Sequence, residues 1–176
     1  MSHPLGQEER FQRLEGIFVR QEIEVDLKGS SDQIISALSD LANYKNWLGF
    51  IDTIDTIDTI DTVDADGGGA CWIVTLRAQV GPFARLKKLR MVRVEEDFPE
   101  LIRFSRKETD SKDHSDWDLH VTINEKESMG CSVQMVVSYS GGFWSVPLQA
   151  VFTSHVETAK VRLQETFASN DDSSES

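Results

Sequence analysis

Between His114 and His120 the chain reads His114-Ser-Asp116-Trp-Asp118-Leu-His120, so four groups able to bind a metal recur at every second residue. On a β-strand that spacing puts all four on one face, where they could converge on a single ion. The opposite face of the same run holds Trp117, Leu119 and Val121, which makes the ligand-bearing face the wet one. A closed site would need help from a neighbouring strand, so the expectation is a solvated face and no bound metal. Two further groups could move a proton: Tyr139, at the end of the run Cys131, Val133, Met135, Val137, and His155, at the edge of a helical stripe. With Gln79 and Arg93 they are the polar exceptions on inward faces that otherwise read as apolar. Either could serve as acid or base toward a bound molecule within hydrogen-bond reach. A single histidine in such a place more often completes a rim, and a tyrosine there more often packs its ring.

Other patterns fail on their own terms. Asp64-Ala-Asp66-Gly67 has the middle spacing of a calcium loop, but Thr62 and Ile73 stand where the two end ligands would be. Gly67-Gly-Gly69 leads into a strand without a following Lys-Ser or Lys-Thr, and no GxSxG occurs, which excludes a phosphate cradle and a nucleophile elbow of those types. No cofactor is expected. Cys71 and Cys131 have no CxxC partner and read as reduced core residues of a cytoplasmic protein.

The elements that must position these groups follow from periodicity. Of the 176 residues, 39% are hydrophobic, with no uncharged apolar run long enough to span a bilayer. Residues 1–16 are polar and lack the apolar core of a secretory signal, so frayed termini are expected there and in the acidic tail 169–176. The domain is 17–168. Val19, Gln21, Ile23, Val25 and Leu27 alternate with charged residues, which predicts a strand with one wet side. Ser30 with Gln33 forms a capping-box pattern, and Ile34, Ile35, Leu38, Leu41 and Ala42 predict two short helices broken near Ser39-Asp40.

The Ile-Asp-Thr repeat within 51–66 has isoleucine every third residue, a period that fits neither strand nor helix. Part of it is expected to be strand and part a looped-out excess. Five more alternating runs follow, of which the basic run Arg85 to Glu96 has a mixed phase that suggests a bulge. Leu148, Phe152, Val156, Ala159, Leu163 and Phe167 then recur at helical spacing and predict a long closing helix. One strand, two short helices, six strands and a long helix give an α+β fold: a curved antiparallel sheet of about seven strands wrapped on its C-terminal helix.

That order resembles the START-like superfamily, also called SRPBCC, which includes polyketide cyclases and proteins like the G component of carbon monoxide dehydrogenase, and which shares the helix-grip fold. The resemblance covers roughly residues 18–168. It is carried by Ile23-Glu-Val-Asp-Leu27, Ser39-Asp-Leu-Ala-Asn-Tyr-Lys-Asn-Trp47, Leu76-Arg-Ala-Gln-Val-Gly-Pro82, Val94-Glu-Glu-Asp-Phe-Pro99 and the terminal helix. It implies binding of a hydrophobic small molecule, lipid-like or aromatic, or cyclisation of a polyketide. Trp72, Leu76, Phe104 and Trp117 from the sheet, with Met135, Tyr139, Phe152 and His155, are the expected lining; Tyr139 and His155 are the acid–base pair if the protein is an enzyme. The carbon monoxide dehydrogenase branch often extends C-terminally toward a membrane, and the acidic end of this chain argues against stable membrane anchoring.

Net charge is −12, with fourteen acids against five bases in 1–66 and five acids against nine bases in 67–109. Such a balance disfavours nucleic acid as a partner. The basic run Arg85, Lys87, Lys88, Arg90 and Arg93 is expected to offset acidic flanking strands by cross-strand pairing. Alternatively, Arg85, Lys88 and Arg90, with Phe143-Trp144, dock a protein partner.

Overall fold

The computed structural model of the protein is described over residues 18–48, 55–64, 70–80, 82–140 and 142–169, with side chains throughout except at 18, 19, 48, 55–64, 77–80, 84, 85 and 142–155. The N-terminal segment, Asp66, the glycines 67–69 and the tail beyond Ser169 lie outside the described residues.

Strand β1 (Phe18–Leu27) buries Ile23, Val25 and Leu27 and leaves Glu22, Glu24 and Asp26 exposed, as alternation requires. Gly29, at φ +114, turns the chain into helix α1 (Ser31–Leu38). Ser30 Oγ accepts the Gln33 N–H and Gln33 Oε1 accepts the Ser30 N–H, both at 3.3 Å, which completes the capping box. The helix ends at Ser39. Asp40 Oδ1 then accepts the Ala42 N–H at 3.0 Å and caps a 3₁₀ turn (Leu41–Tyr44) that runs into helix α2 (Lys45–Leu48).

The remaining strands are β2 (Asp55–Asp64), β3 (Ala70–Val80), β4 (Phe83–Val94), β5 (Leu101–Arg106), β6 (Trp117–Glu125) and β7 (Cys131–Ser140). All pairs are antiparallel, in the order β1-β7-β6-β5-β4-β3-β2. Helix α3 (Gly142–Ser169) packs against β1 and β2, the two edges of that sheet, and against α2. Its described half buries Ala159, Leu163 and Phe167, one residue per turn, and Gln164 Nε2 donates to the Asp26 carbonyl at 3.2 Å. A single sheet gripping a long C-terminal helix is the α+β arrangement the sequence predicts.

The bulge is in a different strand from the one expected. Strand β4 keeps an unbroken register with β3 from Val80↔Phe83 to Cys71↔Val92. Its mixed phase arises because both faces carry apolar residues: Leu89 and Met91 are buried on one, while Val92 and Val94 are half-buried on the other. The irregularity sits in β2, where Ile57 pairs with Leu76 but Thr59 pairs with Thr75, leaving Asp58 as the extra residue. Ile57 and Ile60, three apart, thereby stand opposite Leu76 and Val74, two apart. A bulge is how a three-residue repeat is reconciled with a two-residue strand.

Candidate functional site

Following the pairing across the sheet identifies one inner face. Ile23 pairs with Met135, Met135 with Val121 and Val121 with Ile102. Beyond them Phe104 pairs with Arg93, Arg106 with Met91, Met91 with Trp72 and Lys87 with Leu76. Directly opposed residues share a face, so among the described side chains this face carries three cations, Lys87, Arg93 and Arg106, among apolar side chains. The two ends of the face are built differently.

At the helical end, beside α1 and α2, four aromatic rings pack together: Tyr44 tilted on Trp47 at 5.0 Å, and Tyr44 and Trp72 edge to face with Phe104 at 5.8 Å and 5.4 Å between centroids. Tyr44 is fully enclosed, and burial pushes its phenol far above the ordinary range. Its hydroxyl donates to the Leu38 carbonyl at 2.8 Å, and Trp72 Nε1 donates to Asp40 Oδ1 at 3.2 Å. Arg93 belongs to this end: its guanidinium lies 4.6 Å over the Phe98 ring, donates to the Ser39 carbonyl at 3.1 Å and pairs with Glu95 at 2.8 Å. These contacts dock the α1–α2 segment on the sheet.

At the other end, where β7 meets α3, Trp117 and Tyr139 pack at 4.5 Å between centroids, and Lys87 Nζ stands 5.6 Å from the centre of the Tyr139 ring. Lys87 Nζ also donates to Ser115 Oγ at 3.2 Å. Arg106 organises the loop beside it. Its Nε donates to Glu108 at 2.7 Å, one terminal nitrogen donates to the Ser115 carbonyl at 3.1 Å, and the other lies 3.3 Å from His114 Nδ1. His114 Nε2 lies 2.6 Å from Asp110 Oδ1, so the network assigns the imidazole hydrogen to Nε2 and leaves Nδ1 to accept from Arg106. The His114 bond holds the Asp110 carboxyl below its usual range. Partial burial, and secondarily the like charge of Arg106, lowers the Lys87 ammonium from its usual value, with Glu108 opposing. The Trp117 indole N–H is buried and has no hydrogen-bond partner among the described residues.

Between these ends Leu119 and Val137, a directly opposed pair, stay half-buried although Val121 and Met135 beside them are closed off. Leu76 and Met135, both expected as lining, are buried on this stretch of the inner face. Trp72 and Phe104 belong to the aromatic cluster at the helical end, whereas Trp117 and Tyr139 form the other end. Phe152, His155, Gln79, Phe143 and Trp144 have side chains outside the described residues.

The cluster His114-Ser-Asp116-Trp-Asp118-Leu-His120 is not brought together. Strand β6 starts at Trp117, so His114 and Asp116 lie in the preceding loop. Asp118 accepts from Ser105 Oγ and from Arg103, and His114 is held by Arg106 and Asp110. Among the described residues no three His, Cys, Asp or Glu side chains are placed to hold a metal ion. Cross-strand charge pairing also fails for β4, since its neighbours β3 and β5 contain no Asp or Glu. Its acids come from loops, at Glu95 and Glu108. Lys88 is exposed on the outer face, Arg90 donates from there to the Lys107 carbonyl at 2.9 Å, and the Arg85 side chain lies outside the described residues.

The two inner-face cations missed in the sequence, Lys87 and Arg106, were marked by phase. Lys87 is two residues from Leu89 and four from Met91, and Arg106 is two from Phe104 and four from Ile102. Reading 85–93 as one basic run hid that alternation.

No family model matches the sequence, and no curated protein matches it. Solved structures do match in shape. The di-domain aromatase/cyclase StfQ of the steffimycin biosynthetic pathway superposes with a TM-score of 0.61 at 12% identity, over 94% of this chain and 55% of that one. This chain thus spans about half of that protein. The Zhui aromatase/cyclase of Streptomyces sp. R1128 gives 0.58 at 11% identity, covering 86% of this chain and 94% of its own. A norcoclaurine synthase of Thalictrum flavum gives 0.55 at 14%, covering 88% and 97%.

Proposed function

We propose that this chain, which has the helix-grip fold of the START-like superfamily, encloses a hydrophobic small molecule between the inner face of its sheet and α3. The observation that carries this reading is the half-buried pair Leu119 and Val137, in the middle of an inner face whose flanking positions are closed. A concave apolar surface with a few convergent polar groups at one end is the usual form of a small-molecule site. The lining is Leu76, Leu119, Met135 and Val137, ending at Trp117 and Tyr139. Trp72 and Phe104 hold the far wall rather than touch the guest. We read the protein as cytoplasmic, which its two free, buried cysteines support. No helix among the described residues is long and apolar enough to cross a membrane.

Native mass spectrometry after incubation with a lipid and aromatic extract tests this. The wild type is expected to retain an apolar adduct, and Leu119→Trp, which fills the middle of the face, is expected to lose it while staying folded. No adduct on the wild type, or an undiminished one on the variant, overturns the reading.

A cyclase-type reaction is the second reading, favoured by the placement of Tyr139 beneath an ammonium at the same end. Turnover of an aromatic polyketide analogue that survives both Tyr139→Phe and His155→Ala would exclude it.

A further inference from the structure

We infer that the Tyr139 end of the inner face is an acceptor subsite for the acidic group of an amphipathic organic anion, gripped by Lys87 Nζ and the Trp117 indole N–H. The inference rests on the enclosed-ligand reading above and adds the chemical class of the guest. Two independent observations carry it. Trp117 is 8% exposed and its Nε1 is buried with no partner. An indole N–H can only donate, so what satisfies it must be an acceptor. The second is a charge balance. Arg106 is paired with Glu108 at 2.7 Å, while Asp110, at the exposed margin, is held by the neutral His114 imidazole at 2.6 Å. Glu108 also accepts the Arg90 backbone N–H at 3.3 Å. Lys87, half-buried in the same cluster, has a hydroxyl and a ring face as its neighbours, and no described carboxylate within salt-bridge distance.

A partly desolvated ammonium with no carboxylate in direct contact is costly to leave in place. It stands against the Tyr139 ring, on which Trp117 also packs. A carboxylate or phenolate brought to this ring by an apolar body on Leu119 and Val137 meets one charged and one neutral donor together. Charge-assisted hydrogen bonds of this kind are the strong ones. The subsite is built into the sheet: Lys87 is fixed by its pairing with Leu76, and Ser115 is fixed by Arg106.

Matched probes separate this inference from the reading beneath it. Calorimetric titrations would compare decanoate with methyl decanoate, and 2-naphthoate with methyl 2-naphthoate, on the full-length protein. The acid of at least one pair is expected to bind about tenfold or more tightly than its ester, a difference within reach of one added charge-assisted contact. Lys87→Met should erase that preference, Lys87→Arg should restore part of it, and Trp117→Phe should reduce it severalfold. Circular dichroism of each variant confirms the fold. Equal binding of acid and ester to the wild type, or a preference that survives Lys87→Met, overturns the subsite while the enclosed-ligand reading stands. If none of the four probes binds, both fall.

Discussion

At the helical end the Tyr44 hydroxyl and the Trp72 indole each have a protein acceptor, and the one cation there, Arg93, reaches both a carboxylate and a carbonyl. At the Tyr139 end, among the described residues, the Trp117 indole has none, and Lys87 has a hydroxyl and a ring face but no carboxylate in salt-bridge contact. Both ends are built on packed aromatic rings, four at one and two at the other, and packing alone does not say which polar groups are satisfied. What differs is whether the protein completes its own hydrogen bonds. Buried polar groups are nearly always satisfied, and an end that satisfies them internally is a wall. The helical end does retain one buried indole N–H without a partner, at Trp47, but no unpaired charge stands beside it among the described residues.

That contrast can be broken by substitution. Phe104→Ala is expected to have the largest effect, because the ring is fully buried between Tyr44 and Trp72. It should cost about 3–5 kcal/mol in urea unfolding. A loss below about 1 kcal/mol would mean that the helical end is not the wall described. Tyr44→Phe keeps the ring but orphans the buried Leu38 carbonyl, at about 1–3 kcal/mol by the same measurement.

The same tyrosine gives a pH signature. Its phenol is raised in the fold, so its contribution is intact below the unfolded value of about 10 and is lost as pH rises above it, at up to about 1.4 kcal/mol per pH unit. The difference between wild type and Tyr44→Phe, followed from pH 8 to 11, should shrink accordingly; a constant difference would place the phenol in contact with water. Smallest is the effect at the other end, where Lys87→Met without ligand should change stability by under about 1 kcal/mol. The removed ammonium loses one hydrogen bond, to Ser115. A large destabilisation would show that this end is also structural.

The sequence carries the fold plainly. Alternation over β1 and β7, the Ser30–Gln33 box and the one-per-turn stripe of α3 all state local geometry, and the shared dry face then admits few arrangements. The candidate site was half legible. Trp117 and Tyr139 stand out as inward aromatics, but their pairing, and the loop that brings His114 and Ser115 to them, depend on contacts between β6, β7 and residues 107–116 that no local period encodes. Four ligands at even spacing read as one strand face because nothing in 114–120 marks where the strand begins. Pairing Asp116 with Ser140, through bonds of 3.0 Å in both directions, fixes that start from a segment twenty-four residues away. The bulge in β2 was likewise hidden, since its position depends on the register imposed by β3.

Strand β1 finds its partner β7 between 104 and 122 residues later in the chain. During synthesis the first strand must therefore wait, one edge unclaimed, until almost the whole domain has left the ribosome. Closing the β1–β7 ladder is thus the most non-local pairing of the sheet, and its loop-closure entropy is the largest any of its strand pairs must meet.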